Sequence, residues 1–260
     1  MEKTRSSAEI LTEPPPPDAD TRLAYGPEPL QFGDLRLPEG AGPHPLVVVI
    51  HGGYWQSIYN LIHAGHLCVD LAGHGIATWN IEYRRIGDPG GGWPGTGDDV
   101  LLALAHVRAL AREHPLDLDR VVAIGHSAGG HLAVWSSLHT DVPLRGVVSI
   151  AGVVDMHALA ALGDDHGLIA RLLGGGPEEV PARWQEASPR RHLPWPVHTV
   201  LACGTADVHW GPNESTADAA RAAGGDVELV PLLDAGHFEP VDPAATEWAV
   251  VRGKIAELLR

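Results

Sequence analysis

A mostly parallel α/β sheet with helices on both faces and a small helical cap is predicted by three observations. Short runs that are apolar on both faces recur along the chain, among them Leu46 to Ile50, Val121 to Ile124, Gly146 to Ile150 and Val197 to Ala202. Strands with no polar face belong inside a sheet that is covered on both sides. Stretches of helical length separate these runs. Between Ala151 and Pro196 the alternation breaks into shorter helical pieces, which predicts an insertion over the sheet. At 260 residues the chain is read as one domain of this class.

Residues 1–24 carry charges and four consecutive prolines, Pro14 to Pro17, with no apolar block. This predicts a disordered tail without a secretory leader. The ordered domain is expected over 25–260, opening with an edge strand within Pro29 to Pro38. After strand Leu46 to Ile50 the pattern predicts helix Ser57 to Ala72, strand Ala77 to Glu82 and a long helix from Thr96 to Glu113. Strand Val121 to Ile124 then leads into a helix ending near His139, followed by strand Gly146 to Ile150. The cap, at about 151–196, holds helical pieces at Asp155 to Leu162, His166 to Leu173 and Glu178 to Glu186. Strand Val197 to Ala202, helix Asn213 to Ala223, strand Val227 to Pro231 and a closing helix from Ala244 to Leu259 complete the order.

The formal charge is −15. That field repels phosphate backbones and anionic lipid, so neither a nucleic acid nor a membrane is expected as a partner. Two isolated cysteines, Cys68 and Cys203, make no disulfide framework. No stretch reaches the length of a membrane span. A cytoplasmic protein is expected, with its oligomeric state open and a homodimer among the options. The glycine-rich run Gly90 to Gly95 has no lysine after it, so it reads as a flexible connection and not as a phosphate loop. No cofactor is implied, and no metal site: His63 and His66 lack a third ligand nearby and read as a helix-surface pair.

The chemistry centres on Gly125-His126-Ser127-Ala128-Gly129. Lying between a β-branched run and an alanine-rich helix, this is the pattern of a nucleophile elbow, with Ser127 exposed on a strained turn. The pentapeptide alone is a weak signal in a chain with 31 glycines. Its company strengthens it. A serine needs a base, and the base needs an orienting partner. His237 follows the last predicted strand and Asp207 the one before it, in the chain order Ser, Asp, His. Asp155, Asp234 and Glu239 compete for the acid's role, Asp155 most directly. The amide of Ala128, at a helix N-terminus, and those of Gly53 and Tyr54, in His51-Gly52-Gly53-Tyr54-Trp55, are the expected oxyanion donors. Trp55, Trp210 and Phe238 flank these positions and are candidates for an aromatic pocket wall. His209 reads as a loop histidine in solvent.

The segments at 51–55, 125–132, 204–207 and 236–238 resemble α/β-hydrolase serine esterases near the hormone-sensitive-lipase group, and more narrowly the kynurenine formamidase (arylformamidase) branch. The resemblance implies an α/β-hydrolase fold and a Ser127–His237–Asp207 triad that cleaves small carboxylic esters or aryl formamides through an acyl-enzyme. An acyltransferase using the same triad and a non-catalytic ligand-binding protein on this fold are the alternatives.

Overall fold

Strand β3 (His44–Ile50) shows why the sheet is buried on both faces. Leu46, Val48 and Ile50 enter one hydrophobic core, and Val47 and Val49 enter a second on the opposite face. The computed structural model describes residues 9–10, 13–163 and 167–260. Around β3 it places β1 (Thr21–Ala24), β2 (Phe32–Arg36), β4 (Ala77–Ile81), β5 (Leu116–His126), β6 (Leu144–Ile150), β7 (Thr199–Gly204) and β8 (Val227–Leu232). Their order is β1-β2-β4-β3-β5-β6-β7-β8. β1 and β2 are antiparallel, and every pairing from β4 to β8 is parallel.

Helices α1 (Gly65–Gly73) and α8 (Thr246–Leu258) cover one face. Asp70 ties them together, accepting from Trp248 Nε1 and Arg252 Nη1, both at 2.7 Å. Helices α2 (Gly95–Glu113), α3 (Ala128–Ser137) and α7 (Trp210–Ala222) pack into the other core. The segment between β6 and β7 holds α4 (Met156–Ala161), α5 (Leu168–Leu173) and α6 (Pro181–Ala187). These match the three predicted pieces, except that His166 lies outside the described residues. No helix among the described residues is long and apolar enough to cross a membrane.

Four expectations need correction. The chain expected to be disordered through residue 24 instead forms β1, paired with β2 from Thr21↔Leu35 to Ala24↔Phe32. β2 is therefore not the edge. The helix expected from Ser57 begins later, in a 3-10 turn at Leu61–Ala64 that leads into α1. Trp55 and Ser57 are bonded to the backbone of Ile86 and cannot join a helix, and Asn60 caps the turn instead. The Gly90 to Gly95 connection is pinned: Trp93 is buried and its N–H donates to the Leu172 carbonyl of α5 at 2.7 Å.

Because β3 through β8 run parallel, the loops after β3, β5, β7 and β8 meet at one edge. β3 sits where the chain order reverses, with β4 on one side and β5 on the other. Ligands of open α/β sheets gather at such a switch point.

Candidate active site

Ser127 joins the end of β5 to α3 with φ 55° and ψ −118°, a conformation that costs on the order of 1–3 kcal/mol and persists only when its surroundings enforce it. Here they do. The Ser127 N–H donates to the Ile150 carbonyl of β6 at 2.8 Å. Gly125 and Gly129 allow the close packing that forms the turn: a Cβ at 125 would lie 2.1 Å from the Gly129 carbonyl oxygen, and one at 129 would lie 2.0 Å from that of Ile50.

The loops after β7 and β8 bring Asp207 and His237 together. His237 Nδ1–H donates to Asp207 Oδ2 at 2.6 Å. The competing carboxylates are engaged elsewhere: Asp155 caps α4 and pairs with Arg190 at 3.2 Å, and Glu239 accepts from the Gly236 N–H. Asp234, in the left-handed region at φ 59°, donates its own N–H to Thr205 Oγ1. Burial alone would raise the Asp207 pKa. The bonds from His209 and His237 outweigh it and hold the carboxyl well below the usual range.

His126 connects this pair to the elbow. Its Nε2–H donates to the His237 carbonyl at 2.8 Å, and the two rings lie 4.5 Å apart. Desolvation, helped by the neighbouring His237 imidazole, pushes its pKa down to about 3, so it stays neutral and fixed as a donor.

The turn after β3 also reaches the elbow. A Cβ at Gly52 would lie 3.3 Å from the Ser127 Cβ. Gly53, Tyr54 and Trp55 all have positive φ, at 112°, 54° and 54°. Two anchors hold this costly run. At its base, His51 Nε2 meets Glu82 Oε1 at 3.0 Å, its ring stacks on Tyr83 at 4.4 Å, and Tyr83 donates its hydroxyl to the His51 carbonyl at 2.7 Å. Burial pushes the Glu82 pKa up, but His51 and Arg85 overcome it and leave the carboxyl below its ordinary value. At its tip, Trp55 Nε1–H donates to His131 Nδ1 at 3.3 Å. His131 in turn donates Nε2–H to the Ala187 carbonyl at 2.8 Å.

A cavity of about 180 Å³ opens over the elbow, lined by Ser127, Ala128, Tyr54, Trp55 and His209 and by apolar side chains of the α4–α5 region. Of the expected oxyanion donors, Tyr54 and Ala128 line this space, and Gly53 precedes Tyr54 in the turn, where an added Cβ would meet Tyr59. Of the expected aromatic wall, Trp55 lines it. Trp210 opens α7 outside it, and Phe238 packs on His126 and His237 instead. His209 corrects its sequence reading: it is 6% exposed and donates Nδ1–H to Asp207 Oδ1 at 2.8 Å. His63 rests on Tyr59, and His66 meets the Pro14 carbonyl.

Among the described residues, Asp207, His209 and His237 are the group whose donor atoms lie within 4.8 Å of one another. Both imidazoles meet the carboxylate through Nδ1, one on each oxygen. His126, His131 and Glu82 escaped the sequence reading. The one signal was His131 at four residues past Ser127, one turn along a helix that is buried throughout.

Sheet order, elbow and loop positions define an α/β-hydrolase-fold protein. More narrowly, residues 34–217 match the BD-FAE family, and the chain belongs to it. Esterase LipC of Mycobacterium tuberculosis is 31% identical over 124 residues, covering 47% of this chain and 30% of that protein. The kynurenine formamidase of Danio rerio is 26% identical over 169 residues, covering 61% and 51%. The chain thus spans about a third to a half of the length of these curated relatives. A solved structure, a bacterial heroin esterase, superposes with TM-score 0.77 at 25% identity over 92% of this chain and 84% of its own.

Proposed function

We propose that this protein is a serine hydrolase of small carboxylic esters, with Ser127 as nucleophile, His237 as base and Asp207 as its orienting acid. The observation that carries this reading is the 2.6 Å Asp207–His237 bond, tied by the His126–His237 contact to a strained Ser127 that lines the cavity. Asp207 fixes the tautomer with the proton on Nδ1, so Nε2 is free to take the proton of the Ser127 hydroxyl as Oγ attacks the ester carbonyl. The oxyanion takes N–H groups of Ala128 and of the Gly53–Tyr54 turn. The imidazolium then protonates the leaving alcohol, and a water activated by His237 releases the acid from Ser127.

The region 151–196 acts as a small cap in this reading, since Leu159, Leu162, Leu168 and Ile169 supply the apolar wall. An apolar cavity of roughly 150 Å³ takes a benzene ring. At about 180 Å³ this one accepts a short acyl chain or a single ring in preference to a long lipid chain. Aryl formamides are the second reading, favoured by the likeness to a kynurenine formamidase over 61% of the chain. Two buried, unpaired cysteines agree with the cytoplasmic location that belongs to this proposal.

The test is steady-state hydrolysis of phenyl acetate and of N-formylkynurenine by wild type and S127A. Turnover of at least one, lost by a factor of about 10³ or more in S127A, is expected. Retention of wild-type activity by S127A would remove this serine from the reaction.

A further inference from the structure

Asp207 is held by two imidazoles, and the proposed mechanism uses one. His209 gives Asp207 Oδ1 both its Nδ1–H, at 2.8 Å, and its backbone N–H, at 3.0 Å, while His237 Nδ1–H takes Oδ2 at 2.6 Å. The two rings stack with centroids 4.9 Å apart and planes 22° apart. An imidazole that faces a carboxylate through Nδ1 carries its Nε2 on the side of the ring away from it. His209 Nε2 thus belongs to a ring stacked 4.9 Å from that of the residue assigned as the base.

His209 lines the cavity next to Ser127, and among the described residues no group takes its Nε2. Since Nδ1 carries the proton given to Asp207, the neutral ring offers Nε2 as a lone-pair acceptor. The apolar part of the wall, Val153, Leu159, Ile169 and Val208, offers no side-chain acceptor, and Tyr54 and Ser127 supply the hydroxyls on the cavity.

We propose that His209 is a specificity-determining residue whose Nε2 accepts a hydrogen bond from an O–H or N–H carried by the leaving group of the substrate. The inference rests on the Ser127–His237–Asp207 reading. His237 hands its proton to the leaving atom, so an acceptor on the ring stacked beside it faces the ortho substituent of an aryl leaving group. The favoured substrates are aryl esters or anilides with an apolar body and one donor next to the cleaved linkage. An unmet polar group in such a site is what separates an analogue that lacks the donor from one that carries it.

The experiment compares kcat/KM for 2-hydroxyphenyl acetate and phenyl acetate in wild type, H209N and H209Q. In H209N the amide N–H keeps a bond to Asp207 but no acceptor reaches the place of Nε2. Its loss on 2-hydroxyphenyl acetate is expected to exceed its loss on phenyl acetate at least tenfold. H209Q, whose longer side chain carries an amide oxygen to that place, is expected to recover part of the difference. Equal losses on both esters would overturn the proposal and leave His209 as a support for Asp207. Should the variants fold poorly, wild type alone decides: 2-methoxyphenyl acetate must be at least tenfold worse than 2-hydroxyphenyl acetate, and parity contradicts the assignment. No turnover of phenyl acetate by wild type would instead remove the hydrolase reading beneath it.

Discussion

At the residue scale, the Asp207 carboxylate accepts from three N–H groups, two of them on imidazoles. Exchanging it for an amide introduces a donor where His237 needs an acceptor and favours the wrong tautomer. D207N is expected to lower kcat on phenyl acetate by about 10³–10⁴-fold with little change in KM; a loss under tenfold contradicts the role of Asp207. His131 bears on stability. Its ring is fully buried between Trp55 and Ala187, and burial pushes its pKa down to about 4. The unfolded chain binds this proton near pH 6.5 and the folded one does not, so stability is whole above that pH and declines as pH falls toward 4. The decline is about 1.4 kcal/mol per pH unit. Urea unfolding at pH 7 and pH 5 is expected to show wild type losing about 2 kcal/mol more between the two than H131Q does. Parallel losses would place the proton elsewhere. Histidines such as these explain a limit of sequence reading. Ser127 and His237 announce themselves by a motif and by chain order, whereas the partner of an imidazole is set by loops that fold together from distant strands. His209 looked like solvent-facing loop for that reason.

At the element scale, the elbow is a contact between the start of α3 and the end of β3, and Gly129 is where the two backbones touch. Because the Ile50 carbonyl oxygen would lie 2.0 Å from an added Cβ, G129A cannot be relieved by a side-chain rotation. Overpacking of this kind costs about 1–3 kcal/mol. Thermal or urea unfolding is expected to place G129A at the upper end of that range, while G253A, in open space on α8, is expected to hold or gain stability. A G129A protein as stable as wild type would mean that the elbow is looser than described. The six strands from β3 to β8 were placed, most readily those such as β3 that are buried on both faces and leave an unbroken apolar run. β1 was not, because Thr21–Ala24 is half-exposed on the sheet edge and is held by pairing with β2 instead of by burial. The helix was expected to start at Ser57 and starts at Leu61, because the bonds that tie Trp55 and Ser57 to Ile86 span some thirty positions.

At the scale of the whole molecule, the charge of −15 acts on any substrate that approaches. The screening length shrinks from roughly 30 Å at 10 mM salt to about 8 Å at 150 mM. For phenyl hemisuccinate, an anionic ester, kcat/KM is expected to rise several-fold across that range, while for phenyl acetate it stays level. A flat response for both would show that the field does not reach the cavity. The larger claim is that four loops from one edge of the sheet assemble a single relay from Asp207 through His237 to Ser127. A fluorophosphonate reads that relay directly, because it reacts with a serine only when a base activates it. Mapping the adduct by mass spectrometry is expected to find one site, Ser127, labelled to completion in wild type and at least 10³-fold more slowly in H237A. An adduct on another residue, or an H237A protein labelled at the wild-type rate, would contradict the account.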